Sequence, residues 1–206
     1  GCYEVTTPLE ADKTVLYIDG EMPLDQVQER WNKILANLDD DDRAMCEERI
    51  LLFSAVDYAT RKSKSFDLGA DKWQKTIKEL CLQRNVSMVV LDNKSTLLFS
   101  GEENSNDGEV VEVSNWLMQL RSLGIGSCMV LHEGNTAGRS RGGSRWRDPM
   151  DVIVGLTEDK KEGSEKITFK LKFVKARRGE PKGDLKNPLI AMTDVGDGVE
   201  ILKASD

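Results

Sequence analysis

The stretch that most constrains the fold is Val86-Ser-Met-Val-Val-Leu-Asp92, a short apolar run that ends in a carboxylate. Five of its seven residues are Val, Met or Leu, the composition of a strand buried on both faces of a parallel sheet. Parallel strands need crossovers long enough to hold a helix, and the sequence supplies them. Residues 13–18 and 50–54 are β-branched, aliphatic and aromatic runs, and 127–131 is a further buried-strand pattern. Behind Pro23 and Asp25, apolar residues recur at helical spacing through Leu24, Val27, Trp31, Ile34, Leu35 and Leu38. Residues 71–84 repeat that spacing through Trp73, Ile77, Leu80 and Cys81; Val110 to Leu120 do so again ahead of Gly124 and Gly126. Strands alternating with helices predict an α/β fold, a parallel sheet flanked by helices.

From Asp151 the texture changes. Residues 151–156 read as a strand, and 166–174 alternate polar and apolar, as a half-exposed antiparallel strand should. Short strands at 189–192 and 199–202 complete a C-terminal antiparallel extension. With no internal repeat and no sharp break in composition, residues 1–206 read as a single domain. Residues 61–64 read as a basic, polar loop, 100–108 as an exposed turn-rich loop, and the four consecutive aspartates at 39–42 as a solvated helix end.

Charge and cysteine content exclude several classes. A net charge of −7 argues against a wholesale nucleic-acid coat and leaves room only for a local basic patch. No apolar run approaches the length of a membrane span. The four cysteines (Cys2, Cys46, Cys81, Cys128) are widely separated and accompanied by a single histidine. Zinc and a disulfide framework are both disfavoured, and a reducing cytoplasm is the expected compartment.

Three successive core strands end in or beside residues suited to phosphate chemistry: Glu21, Asp92 and His132. In a parallel sheet those ends share one edge, where ligands of open α/β folds gather. A glutamate there can orient a water, an aspartate can hold Mg²⁺, and a histidine can sense the bound nucleotide. Each has a plain alternative: Asp92 as a turn residue, Glu21 as a helix-entry acid, His132 as a hydrogen-bonded loop residue. Immediately after His132, residues 134–147 hold four Arg and four Gly, among them Arg139, Arg141 and Arg145. A flexible basic segment beside a sheet edge suits contact with phosphates, with a solvated loop as the alternative. Strand alternation places Lys175 and Arg177 on one side as a basic pair.

In their order, the runs VLYIDGEM (15–22), VVLD (89–92), the strand-His-Glu-Gly segment with its Arg-Gly-Gly-Ser-Arg sequence, and DVIV (151–154) resemble the RecA-like ATPases. The nearest resemblance is to RepA-type hexameric replicative helicases and their phage relatives, over roughly residues 13–180. It implies a RecA-like fold, ATP and Mg²⁺ as cofactors, and an ATP-hydrolysing motor or helicase acting on DNA in replication as a homo-oligomer, a hexameric ring on single-stranded DNA or RNA. Glu21 would be the catalytic base, Asp92 the Mg²⁺ acid and His132 the γ-phosphate sensor. Arg177, with Lys175 as helper, would reach a neighbouring subunit's site, and Arg139, Arg141 and Arg145 would track the nucleic acid.

One departure stands against this pattern. No Gly-x-x-x-x-Gly-Lys-[Ser/Thr] phosphate loop occurs in the 206 residues. In the resembled family it precedes the Glu-bearing strand, so the expectation is an N-terminally truncated core whose phosphate loop lies upstream. A nucleotide-incompetent RecA-like adaptor or regulator is the alternative. A small-molecule α/β enzyme using Asp92 as acid–base is a third reading, and it leaves the Arg-rich segment unexplained.

Overall fold

A computed structural model describes residues 12–98, 107–132, 144–158, 167–177, 179, 189–194 and 199–203. Four strands, β1 (Thr14–Asp19), β2 (Ile50–Ser54), β3 (Val86–Asp92) and β4 (Gly126–Met129), form a parallel sheet in the order β2-β1-β3-β4. Helices α1 (Leu24–Leu35) and α2 (Asp40–Arg49) connect β1 to β2. Helices α3 (Ala55–Lys62) and α4 (Asp71–Gln83) lead to β3, and α5 (Lys94–Leu97) and α6 (Asp107–Ser122) lead to β4. The register aligns the strand ends: Asp19 pairs with Ser54 on one side and with Asp92 on the other. The last residues of three strands therefore stand in one row.

The sheet is held by the apolar residues that the periodicity marks. Leu16, Ile18, Val89 and Leu91 are at most 2% exposed, as are Cys81, Val113, Trp116 and Leu120 on the helices. Helix α4 packs on β3 and α6 on β4, and the Trp116 indole N–H donates to the Gln74 carbonyl at 3.1 Å, joining the two helices. Each buried aliphatic side chain of this set stabilises the fold by roughly 1.5–3 kcal/mol through burial alone.

Burial of the central strand on both faces is corrected. Val86, Val89 and Leu91 are 0–4% exposed, yet Met88 is 38% exposed, because the sheet is sealed over the side carrying Val89 and Leu91 and less completely over the other. The basic loop at 61–64 is also corrected: Arg61 and Lys62 form the last turn of α3, where cations suit the helix dipole. That helix starts at a Ser54 cap whose hydroxyl accepts from the Asp57 N–H at 3.1 Å. The aspartate run opens α2 rather than closing α1. Asp39 Oδ1 accepts from the Asp42 N–H at 2.8 Å, and Asp40 to Asp42 fill the first turn, where orphan N–H groups favour negative charge.

A second sheet, antiparallel in the order β5-β6-β7-β8, comprises β5 (Val152–Glu158), β6 (Ile167–Ala176), β7 (Leu189–Asp194) and β8 (Val199–Lys203). By compactness the chain divides into two units, the parallel sheet within Leu9–Arg30 and Ala44–Pro149, and the antiparallel sheet within Met150–Asp206 together with Trp31–Arg43. The α/β architecture with an antiparallel C-terminal extension is the one expected. Among the described residues no helix is long and apolar enough to cross a membrane.

Candidate functional site

The carboxyl edge of the parallel sheet is stitched by backbone before any side chain acts. Gly20 N–H donates to the Asp92 carbonyl at 2.6 Å, Val130 N–H to the Leu91 carbonyl at 2.9 Å, and Lys94 N–H to the Val130 carbonyl at 3.0 Å. These bonds fasten the segments that carry Glu21, Asp92 and His132 to one another. Gly20 can lie this close to α5 because it has no side chain. A Cβ there would stand 2.9 Å from Leu97 Cδ2 and closer still to Thr96 Oγ1.

Asp19 shapes the turn that presents Glu21. Its Oδ1 accepts from the Glu21 N–H at 2.7 Å and the Met22 N–H at 2.6 Å, an Asx-type turn at the strand end. The next segment is held from β2: Ser54 Oγ donates to the Met22 carbonyl at 2.8 Å, and Asp57 Oδ2 accepts from the Leu24 N–H, also at 2.8 Å, at the start of α1. Asp19 is only 1% exposed. Burial raises its pKa above the usual carboxylate value; the two backbone N–H groups pull it down, and nearby Asp92 and Glu21 push it further up.

The predicted residues Glu21 and His132 meet here, beside the strand end that carries Asp92. Asn93 Nδ2 donates to Glu21 Oε1 at 2.5 Å, and His132 Nε2 stands 3.6 Å from the same oxygen. Asp92 Oδ2 accepts from the Tyr17 hydroxyl at 2.5 Å. Tyr17 reaches it diagonally, because its own register partner is Val90, two residues earlier on β3. Burial, then the bond to Asp92, raises the Tyr17 pKa well above that of a free phenol, keeping the hydroxyl a donor. Strand β4 ends at Met129, so His132 lies three residues beyond the strand rather than at its tip.

Tyr17, Asp19 and Asn93 join the site although the sequence reading assigns them no role. Signals for two of them are present: Asp two places before Glu at a strand end is an Asx-turn pattern, and Asn before Lys-Ser-Thr-Leu is a helix-cap pattern. Asn93 does cap α5, its Oδ1 accepting from the Ser95 N–H at 2.9 Å.

Arg139 and Arg141 lie outside the described residues, and Arg145 lies in a short 3₁₀ turn, Ser144–Arg147. That turn is anchored by Trp146, 2% exposed, with Lys94 Nζ 4.9 Å from its ring centroid. Lys175 is in β6, opposite Ile153. Arg177 follows β6 in a turn, with its guanidinium 3.3 Å from Asp151 Oδ1 and its N–H on the Asp151 carbonyl.

The Asp92 carboxylate is of the kind that suits Mg²⁺, which takes one or two carboxylates from a protein and completes its shell with water and phosphate. Among the described residues no three His, Cys, Asp or Glu side chains converge as a metal cage. The edge thus offers a partial shell, and the 206 residues contain no phosphate loop to cradle a triphosphate.

Parallel strands, flanking helices and acids gathered at the carboxyl edge are the plan of the open α/β class, whose ligands bind at that edge. A family model described as AAA domain matches residues 5–138, more than half of the chain, and the protein belongs to that family. No curated protein matches the chain.

Proposed function

We propose that this chain is the core of a RecA-like motor that hydrolyses ATP to move along or open nucleic acid, assembled as a ring of copies of itself. The observation that carries this reading is the meeting of Glu21 and His132 at 3.6 Å beside Asp92, at the carboxyl edge of the parallel sheet. Bound Mg²⁺–ATP would supply the reactive γ-phosphate. Asp92 would hold the metal, and Glu21 would accept a proton from the attacking water. His132, a small ring movement away from a hydrogen bond to Glu21, would register which nucleotide is present. Lys175 and Arg177 would serve a neighbouring subunit's site, and Arg139, Arg141 and Arg145 would follow a single strand by its backbone charge.

Membership of an ATPase family supports the nucleotide half of this proposal. The motor, the ring and the nucleic acid rest on the resemblance in the ordered strand ends and the basic segments. Hydrolysis measured on the full-length protein with and without single-stranded DNA, beside Glu21→Gln, tests it. The expected result is DNA stimulation in the parent and a loss of about 10²–10⁴-fold in the variant. A rival reading, a nucleotide-incompetent adaptor that binds a helicase or nucleic acid, is favoured by the lack of a phosphate loop in these residues. Neither stimulation nor loss in Glu21→Gln would select it.

A further inference from the structure

Asn93 is 0% exposed, an unusual place for a side-chain amide unless both of its ends are engaged. They are. Oδ1 accepts from the Ser95 N–H at 2.9 Å and lies 3.5 Å from Thr96 Oγ1, while Nδ2 donates to Glu21 Oε1 at 2.5 Å. This pairing decides which way the amide points. A flipped amide would set its NH₂ against the Ser95 N–H and its oxygen against a carboxylate, losing both bonds at once. The backbone of Asn93 is equally constrained, because its carbonyl accepts from the Thr96 and Leu97 N–H groups of α5.

Glu21 has no comparable restraint of its own. Its side chain is 47% exposed, and a glutamate left in water spreads over several rotamers. The Asx turn of Asp19 holds its backbone, but the carboxylate lies beyond the reach of that turn. Among the described residues, Asn93 Nδ2 and His132 Nε2 are the groups that meet Glu21 Oε1. Of these, His132 is 62% exposed and more distant, and Asn93 is fixed in the core.

We propose that Asn93 is the positioning residue for Glu21: a buried, one-way amide donor that ties Oε1 and leaves Oε2 directed to the water whose proton Glu21 takes. The kinetic consequence rests on the ATPase reading above; the positioning does not. The bond is charge-assisted and desolvated on the Asn93 side, so it is of the stronger kind. A general base displaced by about 1 Å loses on the order of 100-fold in rate.

Asn93→Asp separates this role from simple helix capping. Aspartate is as good a cap for α5 as asparagine, and the cost of burying its charge falls on either Glu21 background, so a residue needed only for the cap shows the same loss in both. Toward Glu21 it replaces a donor by an acceptor. Melting of the 206-residue chain is expected to fall by about 5 °C in Asn93→Asp. In a Glu21→Gln background the same substitution is expected to lower the melting temperature by clearly less, because the glutamine amide can then donate to the introduced carboxylate. The resonances of His132, the one histidine of the chain, should move in Asn93→Asp and return toward their Glu21→Gln positions in the double variant. In the full-length protein, kcat for ATP is expected to drop about 100-fold in Asn93→Asp with KM within about twofold, and Asn93→Asp should add nothing to the loss in Glu21→Gln.

Equal melting shifts for Asn93→Asp in the two backgrounds overturn the proposal, as does a kcat loss that multiplies with that of Glu21→Gln. A parent without ATPase activity instead overturns the motor reading, and the melting cycle and the His132 resonances still decide whether Asn93 holds Glu21.

Discussion

Gly20→Ala is the sharpest test of how the site is built. The added Cβ would lie 2.9 Å from Leu97 Cδ2 and 3.0 Å from Leu97 Cγ, with Thr96 Oγ1 nearer than either. Leu97 is 0% exposed, enclosed by the core on every side. Thr96 Oγ1 donates to the Asn93 carbonyl at 3.1 Å, so turning it away gives up a bond. Nor can Gly20 withdraw freely, because its N–H is bonded to the Asp92 carbonyl at 2.6 Å. Either α5 shifts or the β1–β3 stitch opens. Overpacking of this kind costs about 1–3 kcal/mol, which in a chain of this size lowers the melting temperature by about 2–12 °C. Because α5 begins at the Asn93 cap, the shift should also loosen Asn93 from Glu21. Thermal melting followed by circular dichroism measures the first effect, and the ring resonances of His132 report the second. The double variant Gly20→Ala/Thr96→Ala removes the nearest contact and should regain part of the loss. A Gly20→Ala protein that melts within about 1 °C of its parent, with His132 undisturbed, would refute the close packing of α5 on the β1 turn.

Three further outcomes concern other positions. At Gly108, in the first turn of α6, an added methyl group would have nothing within 4 Å, and φ is not positive. Gly108→Ala should raise stability by about 0.5 kcal/mol, seen as a higher urea midpoint at unchanged slope. Asp19 has its pKa raised by burial, so its contribution to stability is fully present below the unfolded carboxylate pKa and is lost as pH rises through the folded value. Asp19→Asn, which keeps an acceptor for the Glu21 and Met22 N–H groups, should therefore gain on the parent at neutral pH and lose that advantage in acid, as compared by paired melts. Burial pushes the Cys81 thiol up to about 11 and leaves it 1% exposed. Iodoacetamide in mildly alkaline buffer should label it only after unfolding, and peptide mass mapping that finds it labelled in the native chain would contradict its burial.

Much of the architecture is legible in the sequence because it is written locally. Strand β3 forms at the residues where its apolar run predicts it, and Ile50–Ser54 likewise, since runs of aliphatic residues bounded by turns need little context. Helix α3 is not legible in the same way. Its eight residues make only about two turns, and Ala55 is the one buried residue among them. It is set by the Ser54 cap and by Phe53, Tyr58, Phe66 and Trp73, whose rings gather only once β2 and α4 are adjacent. The aspartate run at 39–42 has the look of an ending and acts as a beginning, because a helix N-terminus and a solvated tail favour the same residues.

Hydrophobic period and the residue types at or just past each strand end are enough to specify the parallel α/β sheet and the candidates Glu21, Asp92 and His132. What touches those candidates is settled only when the strands pair. Tyr17 reaches Asp92 across 75 residues and Asn93 reaches Glu21 across 72. Both contacts exist because β1 and β3 pair with Asp19 beside Asp92. A register shifted by one residue would turn every side chain of β1 to the other face of the sheet, leaving each strand as apolar as before while separating the acids from the groups that hold them.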